Sequence, residues 1–131
     1  ANPGEWLKER ILSPQLPIYT NLISSNAVYL AQLKKGEMGL KGIKESYKNS
    51  GKPSLQFVGF NKPSKFSDLL EDPTWKNLLS FWKKQINILS TEFLNGRIAI
   101  DPAHKQNTCR NCDINPVCRI WEREDGIGEL D

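Results

Sequence analysis

Three cysteines close to the C-terminal end of the sequence are its most informative chemical feature. Cys109, Cys112 and Cys118 stand at C-x2-C-x5-C spacing and are the only cysteines among 131 residues. In a reducing compartment, thiolates bind zinc or an iron–sulfur cluster, and a structural site of either kind normally takes four protein ligands. The spacing therefore predicts a metal site whose fourth ligand is His104, a small molecule or a residue outside this chain.

Other interpretations of the cysteines compete with metal binding. The three thiols are structural and buried, or two of them form a disulfide and the third is free. Metal binding is favoured because all three fall within ten residues of a chain that has no other cysteine. His104 lies five positions before Cys109 and completes a Cys3His zinc site, although a single histidine before a loop is more often solvated.

A glutamine and a tyrosine near the start of the chain form the second candidate site. Gln15 and Tyr19 are four residues apart in a segment that is predicted to be helical. Side chains at i and i+4 share one face of a helix, so an amide and a phenol point toward one site. Taken alone, Q-x-x-x-Y is a weak pattern, and its alternative interpretation is an exposed glutamine beside a half-buried tyrosine.

Lysines form a basic stretch in a chain whose net charge is only +3. Residues 34–65 contain eight lysines and two glutamates. Cations within reach of a phosphate backbone are the main requirement for binding it. We take the following as candidate nucleic-acid-binding residues: Lys34, Lys35, Lys41 and Lys44. A solvated lysine-rich loop explains the same composition at least as well.

The elements that must position these groups follow from hydrophobic patterns and turn residues. Ser13 as N-cap and Pro14 at the first helical position predict a helix that reaches about Ser24. This helix carries both members of the glutamine–tyrosine pair. The preceding residues, 1–4, have the composition of a loop and include no initiator methionine, so we interpret the chain as an excised or processed piece.

Three strands are predicted after this helix. Residues 27–33 are mostly apolar and are typical of a strand that is buried on both faces. A turn over residues 34–37 and a second strand over 38–43 predict a hairpin. Residues 55–60 form the third strand candidate.

A long amphipathic helix is predicted to begin after Asp72 and Pro73, with the aspartate as N-cap. Its apolar residues recur at steps of three and four, which places them on one face. They are Trp75, Leu78, Leu79, Trp82, Ile86, Leu89 and Phe93. Asn95 and Gly96 end the helix. We interpret the stripe as core, with a protein-docking face as the alternative.

Composition sets the general class of the protein. With 38% hydrophobic and 25% charged residues, the chain suits one modest core. It has no apolar run long enough to span a bilayer and no leader pattern, so we expect a cytoplasmic protein without a membrane partner.

Together, these motifs resemble the C-terminal part of RecB-family PD-(D/E)XK nuclease domains, and AddB-like DNA repair proteins most of all. The matching stretches are Pro14 to Tyr19, Ala27 to Leu33, Gly39 to Gly42, and Cys109, Cys112 and Cys118 with Arg119. Trp6 also fits a tryptophan often seen before the family's Q-x-x-x-Y helix. The resemblance covers most of the chain, and the combination is far more specific than either motif alone.

The resemblance implies an α/β fold, namely a fragment of a restriction-endonuclease-like core with one helix and two to three strands. A long amphipathic helix and a Cys-rich C-terminal loop follow. Residues 1–121 are then the C-terminal portion of a nuclease domain, and residues 122–131 are a frayed acidic tail. Within the first part we expect a partial nuclease core over 1–60, the long helix over 72–96 and the Cys cluster over 104–121.

The resemblance also implies an activity, a Mg-dependent DNA exonuclease that acts in double-strand break repair and recombination, with a helicase subunit or domain as a possible partner besides DNA. Gln15 is then near the metal and the nucleophilic water, and Tyr19 is near the substrate phosphate. The three cysteines supply three ligands of a [4Fe-4S] cluster, which joins the two ends of the domain in a structural role.

The family's catalytic acid and its (D/E)-x-K pair are not in this sequence. We expect them, together with the fourth cluster cysteine, upstream of Ala1. We therefore expect that the chain by itself neither cuts DNA nor holds a stable [4Fe-4S] cluster. The strand over 27–33 is expected to present an exposed apolar edge, which leads to self-association or a rearranged sheet.

Two alternatives from other functional classes stay open. The first is a zinc-stabilised, non-enzymatic module that binds nucleic acid or protein, with His104 and the three cysteines as ligands. The second is a protein-interaction domain that presents the helix with Trp75 and Trp82 and has no use for its cysteines.

Overall fold

A computed structural model describes residues 2–63, 65–97, 99–102 and 105–120. The chain divides into two units, Ala1–Leu94 and Asn95–Asp131. The first unit contains, in chain order, a 3-10 helix (Pro3–Leu7), α1 (Gln15–Leu22), β1 (Ala27–Lys34), β2 (Glu37–Tyr47), β3 (Pro53–Val58), α2 (Phe66–Leu69) and α3 (Trp75–Leu94). The second contains α4 (Lys105–Cys109) and α5 (Asn115–Cys118), where a loop was predicted. The α/β class, with one antiparallel sheet and a long helix, confirms the predicted fold class.

Helix α1 lies where the sequence predicts it, but its N-terminal cap is different. Ser13 has a φ of 59°, and its hydroxyl donates to Glu5 Oε2 at 3.0 Å. Pro14 takes the N-cap position instead, and its carbonyl accepts from the Ile18 N–H at 2.9 Å. The predicted serine cap is therefore wrong, because Ser13 closes a contact with the preceding segment rather than with the helix.

The sheet has the strand order β1-β2-β3, and both pairs are antiparallel. Lys34 pairs with Glu37, so the predicted hairpin is confirmed with Lys35 and Gly36 as its turn. Gly36 has a φ of 84°, a value that glycine adopts without the steric cost that other residues carry. Strand β2 continues to Tyr47, four residues past its predicted end.

The predicted burial of β1 on both faces is wrong for its second half. Val28 is buried, but residues 31–34 are all exposed. The reason is the length of β3, because its last residue, Val58, pairs with Gly42. Beyond that point the hairpin of β1 and β2 has no third strand in the described part of the chain. Strand β1 is thus an edge strand of this sheet, and self-association through it stays a prediction.

The core of the first unit joins α3 to the sheet and to the N-terminal segment. Trp82 lies between two tryptophans in edge-to-face contacts, with ring centroids 6.4 Å from Trp6 and 6.2 Å from Trp75. The buried members of this core are Trp6, Leu7, Ile11, Val28, Ile43, Phe66, Trp75, Leu78 and Trp82. The N-terminal residues, predicted as a loop, therefore form a short helix because Trp6 and Leu7 are buried in this core.

Helix α3 ends at Leu94, as predicted, but its cap and the burial of its last turns differ from the prediction. It begins at Trp75, and the Thr74 hydroxyl accepts from the Asn77 N–H at 3.3 Å, so Thr74 and not Asp72 provides the side-chain cap. Toward its end the apolar stripe leaves the core, since Leu89 is 43% and Phe93 84% exposed. No helix within the described ranges is long and apolar enough to cross a membrane.

Candidate functional site

The glutamine and the tyrosine of the Q-x-x-x-Y motif are in contact on α1. The Gln15 side-chain Nε2 donates a long hydrogen bond to the Tyr19 hydroxyl oxygen, with 3.4 Å between the two atoms. Gln15 is exposed, and Tyr19 is 49% exposed. The helix therefore presents an amide and a phenol together at the surface, where a ligand can reach both.

Contacts on the other face of α1 hold the pair in position. Pro17 and Thr20 are buried, and the helix packs against α3. The Thr20 hydroxyl donates to the Leu16 carbonyl at 2.7 Å, which satisfies a polar group that burial would otherwise leave without a partner. After the helix, the Trp75 indole N–H donates to the Ser25 carbonyl at 2.6 Å. Thus the helix is anchored through its buried face and its C-terminal loop.

This pair can orient a bound water or phosphate by hydrogen bonds, but it cannot by itself remove a proton from the water. A glutamine amide and a tyrosine hydroxyl can hydrogen-bond a water or a phosphate oxygen, but an activated water also needs a base or a metal. Across the described residues, no three His, Cys, Asp or Glu side chains lie close enough together to bind one metal ion. Gln15 and Tyr19 therefore have the properties of supporting residues.

A surface pocket of about 360 Å³ lies at the C-terminal end of α1. Its charged residues are Glu45 on β2 and Lys76 on α3, neither of which the sequence patterns singled out. The Ser25 hydroxyl is buried there and has no hydrogen-bond partner among the described residues. Gln15 and Tyr19 do not line this pocket, so it is separate from their pair.

The four candidate lysines do not share one surface. Alternate residues of a strand point to opposite faces, and Ile43 marks the face of β2 that is turned to the core. Lys41 is on that face and Lys44 is on the opposite one, while Lys35 is in the turn. Lys34 lies on the same face as Lys41, because the strand register brings the even residues of β1 beside the odd residues of β2.

The three cysteines of the second unit are thiols that form no disulfide. Cys109 is buried at the end of α4, and Cys112 and Cys118 are partly buried. The Cys112 N–H donates to the Cys109 carbonyl at 3.3 Å, which closes a tight turn between the first two thiols. His104, the alternative fourth ligand, lies outside the described residues.

These thiols fit a metal or cluster by donor type but not by position. Cysteine thiols outside a disulfide are the donors that zinc and iron–sulfur clusters take. Their side chains do not converge into a three-ligand group in the part of the chain that the structure describes.

Comparison with protein-family models gives a match over most of the chain. The model of the PD-(D/E)XK nuclease superfamily matches residues 3–119. This range includes the Gln15–Tyr19 pair, the whole sheet, α3 and all three cysteines. Comparisons with curated proteins and with solved structures give no match.

Proposed function

Because this chain belongs to the PD-(D/E)XK nuclease superfamily, whose substrates are nucleic acids, we propose that it contributes to a DNA exonuclease of double-strand break repair and recombination. Within the superfamily, the RecB family and its AddB-like members are the proposed branch. The order of the Q-x-x-x-Y helix, the hairpin and the Cys cluster supports this assignment. The observation that carries the proposal is the exposed contact between Gln15 and Tyr19 on α1.

The hydrogen bond between the pair supports a different role for each side chain. Since the Gln15 amide nitrogen donates to the tyrosine oxygen, the amide oxygen is left to accept from a water or to approach Mg²⁺, which takes oxygen ligands. The Tyr19 hydroxyl keeps its own proton and can donate it to a phosphate oxygen. When bound, the metal polarises the phosphate and activates the attacking water.

Substitution of Gln15 tests this assignment in the gene product that carries this sequence. We expect Gln15→Ala to lower the rate of Mg²⁺-dependent degradation of linear duplex DNA about 10- to 100-fold, the usual effect of losing a group that orients a metal site. Tyr19→Phe is expected to raise KM, since it removes one hydrogen bond to phosphate. The measurement is release of labelled nucleotide over time, with a closed circular duplex as a substrate that an exonuclease leaves intact.

Matched variants control for general damage to the fold. Gln56 and Tyr47 are exposed residues of the same unit and lie outside the motif, so Gln56→Ala and Tyr47→Phe are expected to retain full activity. The 131-residue chain by itself is expected not to degrade DNA, because its sequence contains no (D/E)-x-K pair. Equal rates for Gln15→Ala and Gln56→Ala, or degradation of the closed circle, would contradict the proposal.

We further propose that Cys109, Cys112 and Cys118 supply three ligands of a structural [4Fe-4S] cluster. The support is the donor type, three thiols within ten residues that form no disulfide, together with the superfamily match. The cluster in this proposal stabilises the domain and takes no part in the reaction. The competing assignment is zinc held by the same thiols and His104.

Anaerobic purification of the gene product tests the cysteine assignment without an activity assay. We expect visible sulfur-to-iron absorption together with iron and sulfide, and we expect Cys112→Ala to remove both. Ser80→Ala, an exposed substitution in the other unit, is the control and should leave the spectrum unchanged. One zinc per chain with no iron, lost on His104→Ala, would instead establish the zinc site.

A further inference from the structure

The end of the β1–β2 hairpin extends beyond the rest of the sheet. We call residues 30–41 the projecting hairpin, because β3 ends at Val58 opposite Gly42. From that pair to the turn, each strand continues for about five residues, or roughly 15 Å. A two-stranded hairpin without further cover is marginally stable in water. The projecting hairpin therefore adds little to the stability of the fold, and we expect its side chains to have a binding role.

One face of the projecting hairpin is apolar and open to solvent. Leu33 and Met38 are paired across the strands and are 82% and 84% exposed. Ala31 is paired with Leu40, which is 53% exposed, and alternation along each strand places both pairs on the same face. Exposed apolar side chains that lie next to one another in this way usually mark an interaction site.

The charge of the projecting hairpin indicates what binds there. Its sequence contains three lysines and one glutamate, a net charge of +2. Lys35 is in the turn and Lys41 is on the face opposite the apolar residues. A ligand that suits this element must offer apolar surface and negative charge close together. The end of a DNA duplex does so, since its base pairs are stacked apolar plates edged by phosphates.

We propose that the projecting hairpin is a wedge that opens the end of duplex DNA, with Leu33 and Met38 against the bases and Lys35 and Lys41 at the phosphates. Leucine and methionine are among the side chains that proteins insert between base steps. A second copy of the chain is a poorer occupant, because each projecting hairpin has a net charge of +2 and two like-charged elements repel each other. This inference rests on the proposed function and identifies the duplex end as the part of the substrate recognised.

Fluorescence of 2-aminopurine tests the wedge with the 131-residue chain. One duplex carries the probe at the second base pair from an end, and another carries it in the middle. We expect saturating protein to raise the fluorescence of the end probe, because the base becomes unstacked, and to leave the central probe unchanged. Leu33→Ser combined with Met38→Ser is expected to abolish the rise. Phe93→Ser, which changes an equally exposed apolar residue on α3, should retain it.

Anisotropy of the same duplexes measures binding separately from unstacking. We expect Lys35→Ala and Lys41→Ala each to reduce the slope of log affinity against log salt by about 0.9, the value for one lost phosphate contact. Lys84→Ala, an exposed substitution on α3, should leave the slope unchanged. Circular dichroism checks that each variant is folded. If the Leu33→Ser, Met38→Ser double variant is not folded, Met38→Ser alone replaces it in the fluorescence test.

The outcomes separate the wedge from the proposed nuclease function. The wedge is wrong if anisotropy shows saturated binding while the fluorescence of the end probe does not rise. It is also wrong if the serine variants retain the fluorescence rise. In either case the nuclease assignment is unaffected. Binding to phosphatidylserine vesicles but not to DNA would identify a lipid site and overturn the wedge. A monomer–dimer equilibrium that the serine variants abolish would identify a second copy as the occupant. If Gln15→Ala does not lower the rate of DNA degradation, the nuclease proposal is wrong, and the fluorescence result decides the wedge separately.

Discussion

Replacing Trp82 with alanine is expected to remove a large part of the stability of the first unit. Trp82 is fully buried, stacks edge-to-face on both Trp6 and Trp75, and donates its indole N–H to the Trp6 carbonyl at 2.9 Å. Truncation of a buried tryptophan costs about 3–5 kcal/mol, while the free energy of unfolding of a domain is about 5–15 kcal/mol. Urea denaturation followed by circular dichroism measures the loss.

Two further variants separate packing from hydrogen bonding at this position. Trp82→Phe keeps an aromatic ring but leaves the buried Trp6 carbonyl without a donor, so we expect a loss of about 1–3 kcal/mol. Lys84→Ala changes an exposed residue on the same helix and should alter the free energy of unfolding by less than about 0.5 kcal/mol. A Trp82→Ala protein that matches Lys84→Ala would show that the tryptophan stack does not support the fold.

A single methyl group at Gly42 is expected to disrupt the centre of the sheet. Gly42 is buried in β2 opposite Tyr29, and a Cβ there would overlap the Val28 carbonyl oxygen and approach the Tyr29 Cα to 2.8 Å. These are backbone atoms of the neighbouring strand, so the clash can be relieved only by separating the strands. We expect Gly42→Ala to cost about 1–3 kcal/mol or more, in the range of other overpacked sites.

Gly39 provides the matched control, because it lies in the same strand and a methyl group added there would meet no heavy atom within 4 Å. Glycine within a strand costs about 0.5–1 kcal/mol of backbone entropy relative to alanine, so Gly39→Ala should be neutral or slightly stabilising. Thermal unfolding should therefore shift in opposite directions, with a change of about 4–8 °C per kcal/mol for a unit of this size. Equal midpoints for the two variants would contradict the close approach at Gly42.

Local patterns in the sequence were sufficient to predict α1, the three strands and α3 of the first unit, but not its 3-10 helix or α2. The four-residue step between Gln15 and Tyr19 corresponds to one helical turn, so their contact depends on helix formation alone. The hairpin turn at Gly36 and the periodic apolar residues of α3 likewise express conformational preferences of short segments. The order of such local motifs indicated a PD-(D/E)XK nuclease, which the superfamily match confirms, while the RecB-family branch stays a proposal.

Burial was less predictable, because it depends on which distant residues cover a segment. Trp6 follows residues with the composition of a loop, yet its carbonyl accepts from a tryptophan 76 positions later. Ser13 and Asp72 were plausible caps, but the Ser13 hydroxyl donates to Glu5, and the Thr74 hydroxyl rather than the Asp72 side chain caps α3. Contacts of this kind join residues that are distant in the sequence or select one of several possible caps. No periodic pattern in the sequence predicts them.

By itself, the sequence determined the α/β class, the helix that carries Gln15 and Tyr19, the hairpin and the cysteine spacing, since each depends on a few consecutive residues. Only the tertiary structure decided that the apolar end of β1 is exposed and that Lys41 and Lys44 lie on opposite faces. The physical reason is that strand length and register, set by pairing between segments, determine which side chains a neighbouring element covers.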